Sequence, residues 1–227
     1  MWIFAHRGAA RSRREENTVV AFRRALAAGC QLETDGRISD DGMAVLVHDS
    51  LVYRFPPRRY PLVRRVHQIR AAQLARFGIP TIDDLYGALG ADFQLSIDLK
   101  VADVGPLLIA AAERFGAAER LWLVSDRLDV LNRLRAISPE VRLVHESRAG
   151  TFGDGRDHSD RLAAASITAQ NTALDGWTDA AVAYSHACGV GAFGSLVNDR
   201  AGFDRAASLG LDALYTDRLD LAGAVAG

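Results

Sequence analysis

The chain has 227 residues, 49% hydrophobic and 24% charged, with 27 basic side chains against 28 acidic ones. That is the composition of a globular protein able to bury a core as a single domain over 1–227. A formal net charge of −1 excludes a global field that would hold nucleic acid or an anionic membrane, so a phosphate must be met by a local cluster and the expected partner is a small molecule.

Cys30 and Cys188 are too few for a disulfide framework or a zinc ribbon and lack CxxC spacing, so both are expected as buried core thiols. The opening Met1-Trp2-Ile3-Phe4-Ala5 has no basic run before it and is interrupted by Arg7, which predicts a cytoplasmic location. No run approaches the ~20 apolar residues of a bilayer-crossing helix, so no transmembrane segment is expected.

Short apolar segments alternate with longer Ala/Leu/Arg-rich segments whose apolar residues recur every three or four positions. Strands are predicted at 2–6, 31–35, 94–100, 121–125, 141–146, 163–168, 190–193 and 213–216. Eight β/α units in a chain of this length point to an α/β fold, the closed (β/α)8 TIM barrel, with a doubly wound open sheet as the alternative. In a barrel, functional side chains belong at the C-terminal strand ends.

After the second strand, residues 37–48 read as an extra hairpin turning at Asp41-Gly42. With those two residues as the turn, Asp35 lies opposite His48. From Ser50 to Ile82 there is no acidic residue, whereas Arg54, Arg58, Arg59, Arg64, Arg65, Arg70 and Arg76 all fall there. Pro56-Pro57 and Pro61 break any long helix, so the insertion at about 50–78 is expected to begin as an irregular excursion over the barrel mouth. Its arginines suit a phosphate-bearing substrate.

Four clusters fall at predicted strand ends: His6-Arg7-Gly8, Glu33-Thr34-Asp35, His48-Asp49 and Asp98-Leu99-Lys100. Spacing of i, i+2 puts Glu33 with Asp35, and Asp98 with Lys100, on one strand face. Three carboxylates gathered at one mouth need a cation, and oxygen ligands suit Mg2+ or Ca2+ better than zinc. Lys100 is the single lysine beside 26 arginines, which suggests a position that needs a compact point charge instead of a planar fork. His6 and His48 are the candidate acid/base pair; His67, His145, His158 and His186 are expected to be structural or surface residues. Gly189 to Gly194 fits GxGxxG but follows a helical segment and leads into an extended one, the wrong order for a dinucleotide site.

His6-Arg7-Gly8, Glu16-Asn17-Thr18 followed by Ala21-Phe22, Glu33-x-Asp35, Asp41-Gly42, His48-Asp49, Pro80-Thr81, Asp98-x-Lys100 and Thr216-Asp217 together resemble the glycerophosphodiester phosphodiesterase family across nearly the whole chain. The resemblance implies a barrel enzyme of lipid metabolism that hydrolyses a glycerophosphodiester to an alcohol and glycerol 3-phosphate with one divalent cation. It implies Glu33, Asp35 and Asp98 as metal ligands, with Asp98 standing where the family more often has Glu. It further implies His6 and His48 as general acid and base, and Arg7 and Lys100 on the phosphate.

Two departures bear on the substrate: Ser125-Asp126 stands where the family shows Ser-Phe, and Ser195-Leu196-Val197-Asn198 lacks the family's tryptophan. Both are expected to remove apolar surface from the glycerol pocket, and Asp126 is expected to meet a polar or cationic part of the substrate. Alternatives are a lysophospholipid-cleaving phospholipase D, with the arginine-rich insertion in peripheral contact with lipid, and a barrel that binds a phosphate ligand without turnover.

Overall fold

A computed structural model describes residues 1–54, 62–147 and 156–222. In chain order the elements are β1 (Trp2–Ala5), α1 (Val19–Ala27), β2 (Gln31–Ile38), β3 (Ala44–Leu46), β4 (Leu51–Arg54) and β5 (Leu62–Arg65), then α2 (Ala71–Leu74), α3 (Ile82–Leu89), β6 (Leu95–Leu99) and α4 (Val104–Arg114). They continue with β7 (Leu121–Ser125), α5 (Leu128–Ile137), β8 (Arg142–Glu146), α6 (Arg156–Ala164), β9 (Ala169–Ala173), α7 (Asp179–Ala187), β10 (Gly191–Ser195), α8 (Arg200–Leu209), β11 (Ala213–Thr216) and α9 (Leu219–Ala222). The strands β1, β2, β6, β7, β8, β9, β10 and β11 pair in parallel, and β1 bonds both β2 and β11, which closes the (β/α)8 TIM barrel.

Local chemistry accounts for the helix starts. Thr18, Thr178 and Asp199 accept from backbone N–H groups three residues on and so cap α1, α7 and α8. Thr81 and Asp84 form a reciprocal capping box on α3.

Two apolar layers follow from strand alternation. Outward residues such as Leu32, Leu95, Ile97, Leu123 and Leu143 pack with the helices. Inward residues Phe4, Trp122, Val124, Val144, Phe193 and Tyr215 fill the barrel, with Phe4 stacked on Tyr215 at 5.4 Å and Trp122 tilted against Phe193 at 5.3 Å between ring centroids. This plug is the floor beneath the mouth.

Three expectations are corrected. The sixth strand is Ala169–Ala173, not 163–168, which is the end of α6 and its exit. The cause is a polar outward face, with Gln170 donating to Ser159 on α6 at 3.1 Å and to Ser185 on α7 at 3.0 Å, so apolar patterning pointed to the neighbouring segment. The hairpin pairs Gly36 with Leu46 and Ile38 with Ala44, one residue away from the expected register. Ser39 N–H donates to the Met43 carbonyl at 3.0 Å, so the loop is the three residues Asp40-Asp41-Gly42, with Gly42 at φ 77°. Asp35 therefore lies beside Val47, whose N–H donates to its carbonyl at 2.8 Å. Finally, Cys30 is buried, but Cys188 is partly exposed, with its Sγ 3.4 Å from Asp160.

Within the insertion, β4 and β5 form an antiparallel ladder pairing Val52 with Arg64. The irregular excursion expected around Pro56-Pro57 and Pro61, with Arg58 and Arg59, lies outside the described residues.

Candidate active site

The chain leaves β1 through three successive left-handed residues, Arg7 (φ 49°), Gly8 (φ 76°) and Ala9 (φ 46°). Gly8 is required there: a Cβ on it would lie 2.8 Å from Ala21 Cβ. The turn points the Arg7 N–H at Glu33 Oε2, 2.7 Å away. It also leaves the Arg7 guanidinium bonded to Glu16 at 2.9 Å, with its Nε 3.4 Å from Asp35 Oδ2.

On β2 and β6 the register places Glu33 beside Ser96 and Asp35 beside Asp98. Their carboxylates therefore enter the barrel side by side above the aromatic floor, where Ser96 meets the Tyr215 hydroxyl at 3.0 Å. Lys100, one alternation beyond Asp98, puts Nζ 3.0 Å from Asp35 Oδ1 and bonds Asp98 as well. The other oxygen of Asp35 accepts from Asn17 Nδ2 at 2.9 Å.

Arg7, Glu33, Asp35, Asp98 and Lys100 line a cup of about 140 Å³ together with His6, Glu146, Asn171 and Leu196, room for a few water molecules or one tetrahedral anion. Burial, and then the neighbouring charge of Asp35, pushes the Glu33 carboxyl up to about 8. Burial, and then Asp98, likewise raises Glu146. At Lys100 burial works against the charge, but Asp35 and Asp98 outweigh it and the ammonium is held above its ordinary range. His6 behaves similarly: burial opposes the imidazolium, yet the Asp217 bond and the Glu33 charge raise it. The cup is thus over-supplied with carboxylate, the condition under which an added cation is favoured.

Most of the predicted site assembles here: His6, Arg7, Glu33, Asp35, Asp98 and Lys100 all line the cup. His48 does not. It lines an adjoining groove of about 810 Å³, its Nδ1 3.0 Å from Asp49 and its carbonyl held by Arg37 at 2.7 and 2.9 Å. Cup and groove meet across the Arg7–Glu16 and Asn17–Asp35 pairs, since Glu16 and Asn17 wall the groove while Arg7 and Asp35 wall the cup. Asp126 is exposed beyond β7 and is not among the cup's lining residues; its charge reaches His145 and Glu146. The apolar wall expected to be lost is partly kept by Leu196 and Val124.

Sequence reasoning missed Glu146 and Asn171. Glu146 ends β8, and a carboxylate closing an apolar strand was a signal that could have found it; Asn171 sits in the strand that was misplaced. The role of Asp217 was also missed: it bonds His6 Nδ1 at 2.9 Å.

Glu33, Asp35, Asp98 and Glu146 offer oxygens to one cup, donors whose chemistry would suit a hard divalent cation. As placed, no three His, Cys, Asp or Glu side chains among the described residues converge closely enough to hold a metal. The Lys100 ammonium takes the space between Asp35 and Asp98, so ligation requires that ammonium to turn away.

Residues 6–100 match the sequence model of the glycerophosphoryl diester phosphodiesterase family. The chain is 34% identical over 157 residues to a Mycobacterium tuberculosis protein named "Probable glycerophosphodiester phosphodiesterase 2", covering 66% of this chain and 56% of that protein. It is 26% identical to a glycerophosphodiester phosphodiesterase of Caldanaerobacter subterraneus, covering 62% of this chain and 64% of that one. The chain thus spans less than two thirds of the length of these curated relatives.

Among solved structures, the barrel is similar to a glycerophosphodiester phosphodiesterase from Thermotoga maritima, with TM-score 0.80, 20% identity, and coverage of 96% of this chain and 95% of that one. It is also similar to an Oleispira antarctica phosphodiesterase in complex with the product sn-glycerol-3-phosphate, with TM-score 0.78, 19% identity, and coverage of 100% and 97%.

Proposed function

We propose that the chain belongs to the glycerophosphoryl diester phosphodiesterase family, whose sequence model matches residues 6–100, and that it hydrolyses a glycerophosphodiester to an alcohol and glycerol 3-phosphate, using His6 and His48 for proton transfer and one divalent cation, Mg2+ or Ca2+. The observation that carries this reading is the pairing of Lys100 and Arg7 with Asp35 in a buried cup that also holds Glu33, Asp98 and His6. The product bound by the Oleispira antarctica relative supports the choice of substrate.

Glu33, Asp35 and Asp98, with Glu146 within reach of the same cup, would hold the cation; when bound, it polarises a non-bridging phosphate oxygen. Arg7, and Lys100 once its ammonium has turned from between Asp35 and Asp98, supply positive charge where negative charge grows as the P–O bond breaks. His6 in the cup and His48 in the groove stand on the two sides of the Arg7–Glu16 pair, an arrangement suited to taking a proton from the attacking oxygen on one side and giving one to the departing alcohol on the other. The attacking oxygen is that of water or of the substrate's own neighbouring hydroxyl.

Incubation with glycerophosphocholine tests the reading. The expected result is release of choline and glycerol 3-phosphate, abolished by EDTA, restored by Mg2+ or Ca2+, and lost in His6→Ala and His48→Ala. Tight binding of glycerol 3-phosphate with no turnover of any diester would establish a binder in its place.

One observation favours a second reading. The groove around His48 is walled by Leu51, Val52, Phe77 and Ile79, apolar surface that suits a lysophospholipid. Cleavage of lysophosphatidylcholine faster than glycerophosphocholine at equal concentration would select it.

A further inference from the structure

His6 and Asp217 are 211 residues apart and meet because the barrel closes. Strands β1 and β11 pair in parallel with Ala5 beside Thr216, so the next residue of each chain, His6 and Asp217, emerges at the same level of the mouth. Asp217 is itself held. Asn198, beyond β10, donates from Nδ2 to Asp217 Oδ2 at 2.8 Å and accepts the Asp217 N–H on Oδ1 at 2.8 Å. The same Asn198 Oδ1 accepts from the Thr216 hydroxyl at 3.1 Å. One carboxylate oxygen thus faces Asn198 and the other faces the imidazole at 2.9 Å, so neither is spare to rotate.

We propose that Asp217 and Asn198 are positioning residues for His6: Asp217 fixes the imidazole as the Nδ1–H tautomer, and Asn198 fixes Asp217, so that Nε2 is the atom that exchanges protons in the cup. The inference rests on His6 being the proton-transfer group of the preceding section. A carboxylate only accepts hydrogen bonds, so the ring nitrogen facing it must carry the hydrogen. Nε2 lies on the far side of the ring and makes no hydrogen bond among the described residues. A free imidazole populates both tautomers and rotates about its side-chain bonds; both freedoms are removed here before substrate arrives, which lowers the cost of reaching the productive geometry. Among the described residues Asp217 bonds no cup side chain other than His6, and the Arg7 charge reaches it without a hydrogen bond, which makes its role indirect.

The test combines kinetics with ¹⁵N NMR of the histidine ring on the full chain. Wild type is expected to show His6 as the Nδ1–H tautomer when neutral. Asp217→Ala is expected to move it toward Nε2–H and to lower kcat at least tenfold with KM within about twofold. Asp217→Glu should recover part of the loss, and Asn198→Ala should give a smaller fall in kcat with a mixed tautomer signal. A merely structural brace would leave the tautomer unchanged.

His6→Ala, assayed alongside, separates the two levels of argument. If it retains full activity, the proton-transfer reading itself fails. If it is inactive while Asp217→Ala keeps wild-type kcat and the Nδ1–H signal, the positioning inference fails and the reading stands. Should Asp217→Ala not fold by circular dichroism, Asn198→Ala decides by the same two readouts: unchanged tautomer and unchanged kcat overturn the inference.

Discussion

The Lys100 ammonium stands 3.0 Å from Asp35 Oδ1 while also bonding Asp98, so one cation bridges carboxylates that are direct neighbours across the β2–β6 pair. Two carboxylates side by side on parallel strands repel, and the charge two residues beyond Asp98 on the same strand face offsets that repulsion. Lys100→Met should therefore lower kcat/KM by about 10²–10³, as removal of one preorganised cationic or donor group does. Lys100→Arg should not restore it, because a planar fork does not fit between the two carboxylates. Steady-state kinetics with folding checked by circular dichroism decides the point.

Glu33 is held protonated up to about 8 by burial, with Asp35 adding to the effect. A divalent cation that ligates it must displace that proton, so cation affinity is predicted to rise with pH from about 6 to about 9 and to level off once the carboxyl is ionised. Titration calorimetry in buffers of different ionisation enthalpy should show proton release on binding at neutral pH. Glu33→Gln should abolish binding with the fold intact, whereas Asp98→Glu, one methylene longer, should tighten it several-fold. Equal affinity across that pH range with no proton release would remove Glu33 from the ligand set.

Gly8 carries the turn that presents both Arg7 and His6. Alanine there would be strained at φ 76° and would press on Ala21 at 2.8 Å, at a cost of about 2 kcal/mol. In a domain of this size that corresponds to a Tm lower by roughly 4–8 °C. Because the Arg7 N–H bond to Glu33 depends on the same turn, activity should fall further than stability alone explains. Calorimetry and kcat/KM measured on one preparation test both halves.

His145 and His158 meet with ring centroids 4.9 Å apart and planes tilted by 53°. Burial first, then the charges of His145 and Arg161, brings His158 down to about 4 from an ordinary 6.5, and burial lowers His145 as well, against the opposing pull of Asp126. A folded pKa below the unfolded one means that the unfolded chain binds more protons, so stability is complete above about 6.5 and declines as pH falls toward 4. Urea unfolding across that window should show the decline, and His158→Gln should flatten it. A profile of wild type identical to that of the variant would show that the pair does not titrate on unfolding.

The barrel was legible because its cause is local. Alternating short apolar strands and amphipathic helices repeat along the chain, and i, i+2 spacing in Glu33-x-Asp35 and Asp98-x-Lys100 places the side chains on one strand face without knowledge of the partner strand. Where a strand's outward face is polar, as at Gln170 and Thr172 in β9, hydropathy marked the wrong segment. The turn at Asp40-Asp41-Gly42 was misread by one residue because Asp-Gly fits both a two-residue loop and the last two positions of a three-residue one, and that slip moved His48 away from Asp35.

The amino-acid sequence alone determined the fold class, the carboxylate and ammonium cluster, and the candidacy of His6, since all of these depend on residue type and spacing within single strands. Only the tertiary structure decided that Asp217 and Asn198 hold His6, that Glu146 and Asn171 join the cup, and that His48 faces a neighbouring groove. Those relationships cross the seam between the first and last strands or span distant β/α units, and contact at such separation follows from closure of the barrel, which no local pattern encodes.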